Sequence, residues 1–212
     1  MATLAKLISI GIIAISFLLG SLAFYWISSL DRKEKKAKLE EVVSFLINFT
    51  IFIWIGKIIV NLSDFIKDPL AILAYPSDSS SFYMAVLLSE FYVYFRMSKN
   101  VLQLSDFLRV LFQVILTASF VFEFIYFVQD RNEYSLSNMI FSALLLGIYY
   151  VAEKRTDFQL FTIILFSWMI GAVILITTQP YLSFFGYLLS LQFIVVFFFV
   201  NLGVLIFNRL KR

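Results

Sequence analysis

The chain has 212 residues, 61% of them hydrophobic and 15% charged, with a formal net charge of +3 and a mean hydropathy of +0.91. A water-soluble domain must cover its surface with polar groups, and this composition cannot do that over the whole length, so a lipid bilayer is the expected solvent. Cys and His are both absent, which removes disulfides, thiolate nucleophiles, cysteine metal sites and the usual general base near neutral pH; no metal and no cofactor is expected.

Seven apolar segments are expected to span the membrane, at 6–29, 41–61, 82–97, 104–128, 136–152, 158–178 and 183–207. The predicted fold is an all-α membrane protein, a bundle of about seven transmembrane helices forming a single multi-pass domain over residues 1–212. The first apolar run is followed by a basic loop and not by a small-residue cleavage site, so it reads as a retained helix. That loop, Asp31 to Lys38, holds Arg32, Lys33, Lys35, Lys36 and Lys38; later gaps on the same side hold Arg96, Lys99, Lys154 and Arg155, and the tail ends Arg209-Leu210-Lys211-Arg212. The opposite side has Lys6, Lys57, Lys67 and Arg131. This excess predicts the N-terminus outside and the C-terminus in the cytoplasm, and the charge reads as topology information, with no nucleic-acid partner.

The longest gap runs from Asn61 to Ser81. Asp68 before Pro69 reads as an N-cap followed by a proline at the first helical position, so a short helix carrying Leu70, Ile72, Leu73 and Tyr75 should start there and lie at the outer interface, within a loop and short helix at about 62–81. Asp78 and the neighbouring serines should form a polar loop before Phe82 re-enters the membrane. Tyr25, Trp26 and Tyr181, at span ends, read as interfacial anchors.

Ionisable side chains inside a bilayer cost about 2.5–3.5 kcal/mol each at its centre, so each needs a reason. Lys57 lies near the outer end of the second segment and Glu123 near that of the fourth, at depths that would let them pair; Glu90 is central in the third, with Gln113 at comparable depth in the fourth. Asn48, Thr117, Gln192 and Asn201 add donors and acceptors. They read as glue between helices, as the lining of an outward-opening polar cavity for a lipid headgroup or peptide, or as an ion path with too few groups for a relay. The candidate ligand-binding residues are therefore Lys57, Tyr83, Glu90, Gln113, Glu123 and Gln192. Tyr83 is either an interfacial tyrosine or a hydroxyl donor in a headgroup site. Asp106 and Arg109, one turn apart, are expected to pair.

Several stretches in order carry a resemblance. Ile10-Gly11 with Phe17-Leu18-Leu19-Gly20, then Gly56-Lys57, Lys67-Asp68-Pro69-Leu70-Ala71-Ile72-Leu73, Ser81-Phe82-Tyr83, Tyr92 to Arg96, Leu104-Ser105-Asp106-Phe107-Leu108, Gln179-Pro180 and Leu189-Ser190-Leu191-Gln192 together resemble the prolipoprotein diacylglyceryl transferases. The resemblance implies a seven-span bundle in the bacterial cytoplasmic membrane and an ancestral reaction that moves diacylglyceryl from phosphatidylglycerol to a lipobox cysteine. It also locates departures. The family's first-span tyrosine is matched by Ile10, its His by Tyr83, and the two glycines after it by Met84 and Ala85. Its essential signature Arg falls on Phe120 and the following Asn on Glu123; a second Arg falls near Gly171. Guanidinium groups grip a phosphate through bidentate, permanently charged contacts that Phe and Gly cannot supply.

The function this implies is a divergent, non-catalytic membrane protein that binds phospholipid, a lipidated peptide or another membrane protein subunit in an outward-facing intramembrane cavity. An alternative is a phospholipid-dependent diacylglyceryl or acyl transferase with altered chemistry, using Tyr83 and Glu123 with Lys57 as anion partner. A second is a transporter or flippase, against which the lack of an internal repeat counts.

Overall fold

The computed structural model describes residues 2–74, 76–97, 101–131 and 133–210. Tyr75, Lys99, Lys211 and Arg212 lie outside the described residues, as do the side chains of Lys6 and Arg96. The chain is nearly all helical, 87%. The long helices are α1 (Ala2–Ile27), α2 (Arg32–Val60), α5 (Ser79–Met97), α6 (Val101–Asp130), α7 (Glu133–Ala152), α8 (Asp157–Thr178) and α9 (Leu191–Leu210). Two short helices, α3 (Leu62–Lys67) and α4 (Pro69–Ala74), follow α2, and a hairpin of β1 (Leu182–Phe184) and β2 (Tyr187–Leu189) precedes α9. Among the described residues six helices are long and apolar enough to cross a membrane, within α1, α2, α6, α7, α8 and α9. The third apolar segment of the sequence is α5, which opens on three serines and carries Glu90.

Two sequence expectations need correction. The basic stretch after α1 is not a loop: Arg32 onward is already helical, with Asp31 in the N-cap position, because Lys, Glu, Ala and Leu are all good helix formers. The last apolar run is not one helix from residue 183. Its first part pairs as an antiparallel hairpin, Leu182 with Leu189, Ser183 with Leu188 and Phe184 with Tyr187, and the helix begins at Leu191. The turn residues Phe185 and Gly186 both have positive φ, 48° and 85°, as a two-residue hairpin turn of the primed kind requires. Asp106, expected to pair with Arg109, accepts from Lys38, which reaches across from α2 to its Oδ2 at 2.9 Å.

The helices group into two compact units, one formed by residues Ser29–Leu111 and the other by Met1–Ser28 with Phe112–Arg212. In the first, α2 packs against α5. The contact is close because Gly56 has no side chain: a Cβ there would sit 2.6 Å from the Ser81 carbonyl oxygen and 3.1 Å from the Met84 Cβ. Small residues at helix contacts let backbones approach where lipid offers no hydrophobic driving force. Phe45 meets Phe107 edge-on at 5.5 Å, and Phe49 meets Phe82 at 5.8 Å.

In the second unit, α1 approaches α6 in the same manner. A Cβ on Gly20 would lie 2.6 Å from the Val114 carbonyl oxygen, and Val114 and Ala118 are fully buried. The hairpin is held by its tip: the Phe185 ring stacks on Phe17 of α1 at 4.9 Å and meets Phe122 of α6 edge-on at 5.3 Å. That aromatic contact offsets the roughly 1–2 kcal/mol that a left-handed backbone costs a residue with a Cβ.

Candidate functional site

The polar side chains singled out by the sequence fall into two groups, one in each unit. In the unit of residues Ser29–Leu111, Lys57 sits in the last turn of α2, where the helix dipole favours a cation. It is 5% exposed, and its Nζ donates to the Leu73 carbonyl oxygen at 3.4 Å. That carbonyl belongs to α4, which starts as the Asp68-Pro69 pattern predicts: the Ala71 N–H donates to Asp68 Oδ1 at 3.0 Å. The short helix therefore supplies a backbone acceptor to a buried ammonium.

Asp78 is more than part of a polar loop. It is the N-cap of α5: its Oδ1 accepts from the Ser81 N–H at 2.9 Å and from the Ser81 hydroxyl, and its carbonyl accepts from the Phe82 N–H at 3.1 Å. Partial burial pushes its carboxyl up, but the hydrogen bonds from Ser81 and the charge of Lys57 outweigh that and hold the pKa below the ordinary 3.8. Tyr83 and Glu90 are both half-buried on α5, and Tyr83 meets the Phe82 ring at 6.4 Å. Two residues beyond Glu90, in the α2–α5 contact, Asn48 Nδ2 donates to the Tyr92 hydroxyl at 3.3 Å.

In the other unit, the polar residues of α6 face α7 along a ladder. Asn138 Nδ2 donates to Glu123 Oε1 at 3.4 Å, and Ser135 also hydrogen-bonds that carboxyl. Ser119 and Ser142 share a hydrogen bond at 3.0 Å. Gln113 Nε2 donates to the Tyr150 hydroxyl at 3.0 Å. The α6 number rises as the α7 number falls, as two antiparallel neighbours require. Hydrogen bonds of this kind between membrane helices contribute about 0.6 kcal/mol each. Asn138 is buried, and its Oδ1 has no hydrogen-bond partner among the described residues. Gln192 stands apart, exposed in the first turn of α9.

Lys57 and Glu123, which sequence depth matched, belong to different units, and each is engaged by neighbours within its own. The reasoning from sequence missed Asn138, Ser135 and Ser142. The signal was present: they recur at i, i+3 and i+7 of one segment, a polar stripe along one helix face.

The positions where the resemblance puts arginines are also in this second unit. Phe120 faces Phe124 with ring centroids 6.4 Å apart. Gly171 of α8 lies under the Phe141 ring of α7, so closely that a Cβ at Gly171 would collide with the ring. Space that a longer side chain would need there is filled by an aromatic ring.

Fold and polar groups together define an all-α, multi-pass membrane protein whose intramembrane polar residues are tied mainly to neighbouring helices. No family model, no curated protein and no solved structure matches the chain.

Proposed function

We propose that this chain is a non-catalytic member of the prolipoprotein diacylglyceryl transferase fold, with its N-terminus outside and its C-terminus cytoplasmic in a bacterial membrane. In this reading it binds a phospholipid, a lipidated peptide or a partner membrane protein through an outward-facing intramembrane cavity. The observation that carries the proposal is the Phe141 ring over Gly171. A phosphoglycerol headgroup needs permanent cations to hold its phosphate, and the two positions matched to arginines carry phenylalanine and glycine, the second roofed by a ring.

Three ionisable groups support the same reading. The Asp78 carboxylate holds the start of α5, the Lys57 ammonium holds the Leu73 carbonyl, and Glu123 accepts from Asn138. A general base needs a lone pair aimed at the substrate proton; groups engaged this way act as fasteners between helices.

The test is reconstitution of the full chain in phosphatidylglycerol vesicles with a lipobox peptide. The expected result is no diacylglyceryl transfer, together with lipid or lipopeptide retained by gently purified protein in native mass spectrometry. Turnover that is lost in Glu123→Gln and Tyr83→Phe would overturn the non-catalytic reading in favour of the altered transferase.

A further inference from the structure

We propose that the groove between α7 and α8 is a binding site for an anionic phospholipid, distinct from the cavity proposed above and independent of it. The groove holds about 780 Å³. Its depth follows from the sequence. Ala143, Gly147 and Val151 repeat at four-residue spacing along α7, and the first two offer almost no side chain. A Cβ added to Gly147 would meet nothing within 4 Å. Leu144 and Val151, 61% and 84% exposed, and Ile163 across on α8 give the walls hydrocarbon faces. A channel of this kind, open along two membrane-spanning helices, is reached from the bilayer by an acyl chain.

An acyl chain alone would not distinguish one lipid from another, so selectivity comes from the polar end. Where α7 turns into α8 the lining changes to Arg155 and Gln159. Arg155 is the one charged side chain among the described residues that line the groove. The carboxylates Glu153 and Asp157 flank the same turn but are not part of the lining. Arg209, in the last turn of α9, sits 4.5 Å above the Phe158 ring and so braces a residue of the wall without itself lining the groove. An apolar channel with one guanidinium at its end takes a diacyl lipid whose phosphate carries an uncompensated negative charge. The guanidinium pairs with the phosphate oxygens, whereas a choline headgroup brings its own cation to the same place. Basic pockets between membrane helices are a recognised setting for acidic headgroups.

The experiment uses the full chain in micelles containing equimolar phosphatidate and phosphatidylcholine, with the retained lipid read by native mass spectrometry. Phosphatidate is expected to be retained about fivefold over phosphatidylcholine, the preference that one basic residue near a membrane surface supplies. Arg155→Gln should bring the ratio close to one while leaving total lipid unchanged, and Arg155→Lys should keep most of the preference. Gly147→Phe, which fills open space, should reduce retention of both lipids without lowering the melting temperature. An unchanged ratio in Arg155→Gln would overturn the proposal. So would unchanged retention in Gly147→Phe, or a co-purifying protein that Gly147→Phe displaces, which would make the groove a protein interface. Loss or gain of transferase activity bears on the other reading and leaves this one untouched.

Discussion

Glycine-to-alanine substitutions should split by sign according to what lies above each Cα. In a helix, Ala is favoured over Gly by about 1 kcal/mol. At Gly56 that gain meets an obstacle. The new Cβ would be 2.6 Å from the Ser81 carbonyl oxygen, inside the 3.0 Å that real Cβ atoms keep, with the Ala85 nitrogen at 3.4 Å behind it. The obstructing atom is helical backbone and cannot rotate away, so α2 and α5 must separate by several tenths of an ångström. Overpacking of this kind costs about 1–3 kcal/mol. Separation also pulls Lys57 and the Asp78–Ser81 cap out of register, since both sit beside the contact. The net expectation for Gly56→Ala is a loss of up to about 2 kcal/mol, and Gly20→Ala, at 2.6 Å from the Val114 carbonyl, should lose a similar amount. Gly203 in α9 has nothing within 4 Å, so Gly203→Ala should be neutral or stabilising by up to about 1 kcal/mol. The assay is unfolding in mixed micelles with increasing dodecyl sulfate, followed by tryptophan fluorescence. Midpoints that shift the same way for Gly56→Ala and Gly203→Ala would show that helix propensity, not the α2–α5 contact, governs these sites.

Three further outcomes are open to measurement. Asp78→Ala should cost about 1 kcal/mol through loss of the α5 cap. Because the folded carboxyl titrates below the ordinary 3.8, the charge-dependent part of the cap's contribution is complete above that value and lost as pH falls through the lower folded pKa; thermal melts of wild type and Asp78→Asn should therefore converge only in strong acid. Glu123→Gln keeps an acceptor for Asn138 and should change the melting point little, whereas Glu123→Leu strands the Asn138 amide and should cost about 1–3 kcal/mol; equal losses would refute the ladder between α6 and α7. Gly186→Ala forces a Cβ onto a φ of 85° and should destabilise the hairpin by about 1 kcal/mol, read as faster amide exchange across residues 182–189.

The bilayer setting was legible in the sequence, because hydropathy sums over a segment without regard to its neighbours. Most segment positions were legible for the same reason, and so was the start of α4, since a cap followed by proline acts within one turn. The hairpin at 182–189 was not: every residue in its strands except Ser183 is apolar, and a run of that kind carries no period to separate strand from helix. What fixes it is a contact far along the chain, Phe185 against Phe17 and Phe122.

The candidate site divides along the same line. Composition alone removed histidine and cysteine chemistry, and the hydropathy pattern located the polar residues within the apolar segments. Which atoms those residues meet was decided only by packing. Asn138 donates to Glu123, Lys38 reaches Asp106, and a ring from α7 covers Gly171. The physical reason is range. Solvation and capping are properties of a residue and its near neighbours, so sequence determines them; a hydrogen bond or a steric closure between helices exists only once the chain brings two distant segments within a few ångströms.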